Sequence, residues 1–244
     1  MSPRQDDLIQ EMENRLQSEL GLDPQSRSLS VDCDGGTAVL SGEVRNVAEK
    51  GRIAYLASTV HGVDRVEDAI RVIPGKPMDD EELADHLAGI LERDPSFVNY
   101  TLRKRVAGEE STVRAGMPEP AGSVELEVED GEVVLEGQVQ DPAYKRLAGA
   151  LAWWAPGTRN VVNNLRLWPS DEDSDDEIVE GLRIVFDMNP LLDASQIGIE
   201  CANGEVILTG TAANAEQRDM AEKDAWCTFG VRHVDNRIVT EEGA

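Results

Sequence analysis

The stretch "DGEVVLEGQV", residues 130–139, recurs almost unchanged as "NGEVILTGTA", residues 203–212. A looser copy, "GGTAVLSGEV", occupies residues 35–44. The first two stretches start with Asp–Gly or Asn–Gly, and Asp34 directly precedes the two glycines of the third. Such pairs suit a hairpin turn with positive φ, and a strand-like alternation of apolar residues follows each of them. The sequence of one turn and one strand therefore occurs three times in the chain, and this repetition predicts three copies of one small fold.

Matches at constant spacing extend beyond the hairpin. One glycine interrupts the strand in every copy, and a second glycine follows a predicted second helix, which we expect it to end. The first set is Gly42, Gly137 and Gly210, and the second set is Gly62, Gly157 and Gly230. Successive members of both sets are 95 and 73 residues apart. Because matches at shared offsets are difficult to obtain by chance, the three copies should have the same order of elements.

Each copy begins with an acidic amphipathic helix. In the second copy one helical face carries the apolar residues Leu83, Leu87, Ile90 and Leu91. The first helices should end before "LDP", "RDP" and "MNP" (residues 22–24, 93–95 and 188–190), because a residue that precedes proline resists the helical conformation. The complete unit reads helix, strand, strand, helix, strand. We predict an α+β fold of three tandem αββαβ units, each a three-stranded mixed sheet covered on one face by two helices.

The predicted domains are residues 1–74, 78–169 and 174–241. Pro, Gly, Ser and acidic residues are concentrated at 73–80 and 168–177, which is typical of solvated linkers. Units of this size bury only about 60% of their surface when alone, so we expect contacts between them.

The second domain carries an insertion at about residues 97–123. It holds the one locally basic island of the sequence: Arg103, Lys104, Arg105 and Arg114. The insertion is either a loop or extra hairpin, or a contact site that clasps an acidic neighbouring unit. Trp153 and Trp154 end the second helix of this domain, and they either pack in the core or between domains, or form an exposed anchor for a ligand or membrane. These six residues are the candidate contact patch.

The composition limits the classes of partner. The formal net charge is −25, from 48 acidic and 23 basic residues, whereas proteins that bind nucleic acid present basic surfaces. Like charges also oppose broad docking on anionic lipid. The first twenty residues contain no apolar run like that of a signal peptide, and no stretch is apolar for long enough to span a membrane. We expect a cytoplasmic protein with neither a nucleic-acid nor a membrane partner.

The sequence lacks the patterns of common catalytic and metal sites. The three histidines lie in different repeats without metal-ligand spacing, and no Walker, GxSxG or HExxH motif occurs. Cys33, Cys201 and Cys227 form no CxxC pair and are predicted to be reduced core residues. We therefore predict no enzymatic activity, no catalytic or metal-binding residues and no obligatory cofactor.

The three hairpins, together with the downstream segments "GVDRVEDAIRV", "GTRNVVNNLRL" and "GVRHVDNRIVT", resemble tandem BON domains (bacterial OsmY and nodulation). The middle copy departs at Thr158, where the family usually has Val. The resemblance implies an αββαβ fold without catalysis and a bacterial protein associated with osmotic or envelope stress. It also implies phospholipid, potassium or protein-contact roles, which are assigned to different members.

Three functions remain open at this stage. The leading hypothesis is a non-enzymatic BON-repeat binding or scaffold protein, linked to stress and acting through a protein partner or self-association. The first alternative is binding or sensing of potassium by backbone carbonyls at domain junctions and by carboxylates. The second alternative is phospholipid binding, and acidity makes it the weakest, because residues 79–94 hold seven acidic residues against one arginine.

Overall fold

The structure is a computed structural model, and it describes residues 3–21, 29–116, 120–168 and 174–240. The chain forms two compact units, Met1–Ile73 and Pro74–Ala244. The first unit holds copy 1, and the second holds copies 2 and 3. The sequence "LDP" of copy 1 and residues 169–173 of the second predicted linker lie outside the described residues.

Copy 1 has the predicted order of elements. They are α1 (Pro3–Leu20), β1 (Leu29–Asp34), β2 (Thr37–Val44), α2 (Val47–Ser58) and β3 (Arg65–Val72). Strand β2 lies in the centre, pairing antiparallel with β1 and parallel with β3. The mixed sheet is therefore confirmed, since the hairpin forms its antiparallel pair and the α2 crossover forms its parallel pair.

Copy 2 contains the same unit and an added hairpin. Its elements are α3 (Asp80–Arg93), a 3-10 helix (Pro95–Phe97), β4 (Tyr100–Val106), β5 (Glu109–Arg114), β6 (Gly122–Glu129), β7 (Glu132–Val139), α4 (Pro142–Trp154), β8 (Asn160–Asn163) and β9 (Arg166–Leu167). The insertion is the β4–β5 hairpin, and β4 pairs parallel with β6, so the sheet order is β5-β4-β6-β7-β8. Helices α3 and α4 enclose one apolar core against this sheet.

Copy 3 has no such hairpin among its described residues. Its elements are α5 (Asp175–Met188), a 3-10 helix (Ala194–Gln196), β10 (Ile197–Ala202), β11 (Glu205–Ala212), α6 (Ala215–Trp226), β12 (His233–Asn236) and β13 (Val239–Thr240). The strand order is β10-β11-β12, and β13 also pairs with β11. Helices α3 and α5 both end two residues before a proline, as predicted.

The αββαβ arrangement is confirmed in all three copies, but the strand count differs from three in copies 2 and 3. The last strand of each is divided into two short strands, β8 and β9 or β12 and β13, with the same register on both sides of the gap. At the gap the side chains of Asn163 and Asn236 accept hydrogen bonds from the backbone N–H two residues later, at 3.3 and 3.2 Å. The insertion adds the remaining two strands of copy 2.

The two sets of glycines have separate structural roles. Gly137 has φ 124°, and a Cβ there would lie 2.1 Å from the Ser123 carbonyl oxygen on the paired strand. The prediction for the second set was wrong, because α2, α4 and α6 end at Ser58, Trp154 and Trp226, three or four residues before the glycines. Gly62, Gly157 and Gly230 lie in the loops after these helices, where their carbonyl groups approach the hairpin turns.

Candidate protein-contact surfaces

Helix α4 of copy 2 packs against α5 of copy 3, and Arg146 lies at the centre of this contact. The Arg146 side chain is completely buried, and its Nε donates a hydrogen bond of 3.1 Å to the Phe229 carbonyl oxygen. The side chain crosses Gly181 so closely that a Cβ on that glycine would lie 2.5 Å from Arg146 Cδ. Gly181 therefore provides the space that lets the two helices enclose a guanidinium group.

Asp224 of α6 forms the second anchor of this contact. Its carboxylate accepts hydrogen bonds from Trp154 Nε1 at 2.9 Å and from Asn189 Nδ2 at 2.6 Å. Trp154 belongs to copy 2 and Asn189 follows α5, so Asp224 connects three helices. Burial raises the pKa of Asp224, while the two donated hydrogen bonds act in the opposite direction.

At the edge of the same contact, Lys145 Nζ lies 3.9 Å from the centre of the Phe229 ring, within the range of a cation–π interaction. We call the whole set the α4 junction: Lys145, Arg146, Trp154, Gly181, Asn189, Asp224 and Phe229. Buried charged groups with directed hydrogen bonds tolerate few alternative arrangements, so the α4 junction fixes how copy 3 is oriented on copy 2.

An aspartate at the start of α3 or α5 holds the hairpin turn of the same copy. Asp80 accepts hydrogen bonds of 2.9 Å from the backbone N–H groups of Asp130 and Gly131. Asp175 accepts from the N–H groups of Asn203 and Gly204, at 2.7 and 2.9 Å. These two hydrogen bonds lower the pKa of Asp175. The acidic first turns therefore orient the hairpins in addition to interacting favourably with the helix dipole.

The basic residues of the insertion bind their own copy. Lys104 Nζ lies 2.7 Å from Glu81 and 2.5 Å from Asp85, both on α3, and these carboxylates raise the pKa of Lys104. Arg103 and Arg105 point from the opposite face of β4 and pair with glutamates of β5 and β6: Glu110 at 3.6 Å from Arg103, and Glu125 at 2.5 Å from Arg105. The charges thus attach the hairpin to α3 and β6.

Arg114 attaches the other strand of the hairpin. Its guanidinium group donates to the carbonyl oxygens of Glu92 at 2.8 Å and Tyr100 at 3.4 Å, and also to that of Phe97. The basic members of the candidate contact patch are therefore held by partners within copy 2, and their contact with another protein stays a prediction.

The two tryptophans of the candidate contact patch, Trp153 and Trp154, are both half-buried. Trp154 contributes to the α4 junction through Asp224.

The three cysteines form no disulfide. Cys33 and Cys227 are buried free thiols, and burial raises the pKa of the partly exposed Cys201 to about 11. Within the described ranges, no group of three His, Cys, Asp or Glu side chains is placed to hold a metal ion.

Sequence reasoning did not find Arg146, Gly181, Asn189 or Asp224. The available signal was Gly181, which interrupts an otherwise regular amphipathic helix. A glycine inside a helix costs about 1 kcal/mol relative to alanine, and it commonly marks a close approach by another element. The other three residues belong to no motif, because their role depends on how two copies meet.

Comparison with known families agrees with the three αββαβ units. The BON domain family model matches residues 7–74, 110–168 and 174–242, which together are most of the chain. The chain belongs to the BON domain family. No curated protein matches it. None of the helices in the described part of the chain is long and apolar enough to cross a membrane.

Several solved structures are similar to the chain at low identity, and two of them are of type III secretion proteins. One is CdsD, a structural protein of the type III secretion system of Chlamydia trachomatis, with 20% identity, coverage of 97% of this chain and 95% of that chain, and a TM-score of 0.25. The other is the periplasmic domain of the type III secretion inner membrane protein PrgH from S. typhimurium, with 13% identity, coverage of 94% and 100%, and a TM-score of 0.24.

Proposed function

We propose that the protein is a non-enzymatic scaffold that binds another protein, and that copies 2 and 3 act as one rigid binding body. The observation that carries this proposal is the α4 junction. A scaffold must present its surfaces in a fixed relative orientation, and Arg146 and Asp224 supply directed, buried contacts between the two copies. The tandem BON copies are further support, since repeated modules multiply contact surfaces.

The chemistry of the surface also supports a protein partner. The exposed first turns of α3 and α5 are acidic, and the formal net charge of the chain is −25. Such a field favours a basic partner and accelerates its encounter at low salt. We further propose that the protein has a stress-linked role and a cytoplasmic location. Cell fractionation under normal and high osmolarity tests the location.

Partner capture from cells tests the proposed function. The full chain, crosslinked in native buffer, should enrich a defined protein, and the G181L variant should enrich less of it because a leucine side chain cannot fit beneath Arg146. The control is G89L, since Gly89 also lies inside a helix but a Cβ there meets only the flexible end of Arg93 at 3.4 Å. A wild-type chain that stays monomeric and captures nothing contradicts the proposal.

Potassium binding is the alternative that the resemblance suggests. Hard cations prefer carboxylate and carbonyl oxygens, and a recess of about 960 Å³ in copy 1 is lined by Asp7, Glu11, Asp64 and the glycine turns at 35–36 and 62. Its three carboxylates are not grouped as a metal site, so a cation there would need backbone carbonyl groups as further ligands. Calorimetry with potassium, sodium and calcium tests this role, and the D64N variant should weaken any potassium signal. If none of the three cations gives heat or a shift of the melting temperature, cation binding is excluded. Phospholipid binding has a separate test, co-sedimentation of the chain with phospholipid vesicles, and a chain that stays in the supernatant excludes it.

A further inference from the structure

Strand β10 is an edge strand in the described part of copy 3. It pairs antiparallel with β11 on one side, and no described strand pairs with its other side. The side chains of Ile197, Ile199 and Cys201, which face the helices, are partly exposed. An edge strand with unpaired backbone groups and accessible aliphatic side chains is a template for another strand.

Copy 2 contains the same edge with a strand bound to it. Val124 and Ile197 are equivalent, because each lies opposite the glycine that interrupts the next strand, Gly137 or Gly210. In copy 2 strand β4 pairs in parallel with β6 over seven residue pairs. The equivalents of the three partly exposed side chains are then almost inaccessible, with Val124, Leu126 and Val128 each 1% exposed.

Four acidic residues of α3 and β6 hold the added strand in copy 2, and copy 3 retains three of these charges. Lys104 contacts Glu81 and Asp85 of α3, and Arg105 contacts Glu127 of β6 at 3.5 Å. The positions equivalent to these three acidic residues in copy 3 are Asp176, Glu180 and Glu200, and all three side chains are exposed. Copy 3 therefore has three of the four acidic groups of the strand-binding edge, with Gly198 in place of Glu125, and lacks the basic strand among its described residues.

Copy 1 provides the contrast. Its equivalent strand β1 has buried side chains at all three apolar positions, Leu29, Val31 and Cys33. When "LDP" is aligned with "RDP", the helix positions equivalent to Glu81 and Asp85 are Gln10 and Asn14, so both acidic groups are absent. The edge of copy 1 thus offers less apolar surface and less negative charge than the edge of copy 3.

We propose that the β10 edge binds an extended basic segment of a partner protein as an additional parallel strand, in the way that β6 holds β4. The β4–β6 register sets the pattern of the ligand, with basic residues opposite Ile199 and Glu200 and apolar residues opposite Ile197 and Cys201. Backbone hydrogen bonds supply affinity in this mode, and alternate side chains supply specificity. A second copy of the chain is a poorer occupant, because two such acidic edges repel each other. This inference rests on the proposed function and names the class of partner.

The capped peptide YTLRKRV, which has the sequence of residues 100–106, is the probe, and the full chain is the receptor. Calorimetry should detect saturable binding, and hydrogen exchange should detect slower amide exchange at residues 197–202. The charge-reversed peptide YTLEEEV should bind at least about tenfold more weakly, which corresponds to about 1.4 kcal/mol. The receptor variant E180K/E200K should show a similar loss, and D32K, at the equivalent position of copy 1, should not.

Three results overturn the inference: unchanged exchange at residues 197–202, equal affinity for both peptides, or protection of these residues that rises with protein concentration alone. The third result would assign the edge to a second copy of the chain. If E180K/E200K fails to fold, as judged by circular dichroism, the comparison of the two peptides on the wild-type chain decides. If the peptide does not bind and E180K/E200K still captures a cellular partner, the β10 edge is not the binding site. The proposed scaffold function would stand in that case.

Discussion

At the scale of single residues, buried polar groups distinguish the contact between copies 2 and 3 from ordinary apolar packing. Asp224 is almost inaccessible yet accepts hydrogen bonds from two side chains, one of them in the other copy. Removing such an acceptor leaves buried donors without their partner, which costs more than the hydrogen bond itself contributes. The energetic weight of the α4 junction should therefore be concentrated in a few residues.

The first prediction concerns Asp224. The D224A variant leaves Trp154 Nε1 and Asn189 Nδ2 without their acceptor, so we expect the free energy of unfolding to fall by about 1–3 kcal/mol. Urea unfolding followed by tryptophan fluorescence and circular dichroism measures it. The matched control is D219A, an exposed residue of the same helix, which should change stability by less than about 0.5 kcal/mol. Equal effects of the two substitutions would contradict this account.

The second prediction concerns the pH dependence due to Asp175. Its pKa is lower in the folded chain than the ordinary value near 4 because it accepts two backbone hydrogen bonds. Its contribution to stability is therefore present above about pH 4 and is lost as the pH falls through the lowered folded-state pKa. Between pH 6 and pH 2 the free energy of unfolding should therefore fall less in the D175N variant than in the wild-type chain. If D175N loses as much stability over this range as the D219N control, the assignment to Asp175 is wrong.

At the scale of elements, the repeated sequence predicted most of the fold because its signals are local. Alternation with a period of two identified the hairpin strands, the stripe of Leu83 and Leu87 identified α3, and the glycine at 137 marked a real constraint on the paired strand. The predicted ends of the second helices were wrong, because the sequence alone does not distinguish a glycine that ends a helix from a glycine in the loop that follows it. The division of the last strand in copies 2 and 3 was not predicted. The two short strands keep one register, so the sequence pattern of a single strand continues across the gap.

The insertion and the α4 junction were less predictable for a physical reason. A basic island is typical of both a solvated loop and a contact site, and only the pairing of Lys104 with Glu81 and Asp85 identifies its partners. The space beneath Arg146 depends on shape complementarity between two helices that are distant in sequence. Periodicity describes which face of a helix is buried, and it does not specify what covers that face.

The third prediction tests how the hairpin is attached. The R114A variant removes donors to the carbonyl groups of Glu92, Phe97 and Tyr100, so we expect it to destabilise the chain by about 1–3 kcal/mol and to speed amide exchange in β4 and β5. R103A removes only a half-exposed pair and should change stability by less than about 1 kcal/mol. Loss of contact between copies 2 and 3 in R114A, with β4 and β5 unchanged, would contradict the attachment described here.

At the scale of the whole molecule, three BON copies produce two compact units because one contact between copies is extensive. The α4 junction holds the β10 edge, the acidic helix α5 and the occupied edge of copy 2 in one relative orientation. Rigid presentation lowers the entropic cost of binding, since the modules need no ordering when the partner arrives. The proposed scaffold function therefore depends on copies 2 and 3 opening together rather than separately.

Native-state hydrogen exchange across a urea series measures this coupling directly in the full chain. We predict that the amides of α4 and α5 open with the same free energy and the same urea dependence in the wild-type chain and in G89L. In G181L the clash with Arg146 should separate the two values, with α5 opening at the lower free energy. A wild-type chain in which α5 opens independently of α4, or a G181L variant in which the two values stay equal, would contradict the central claim.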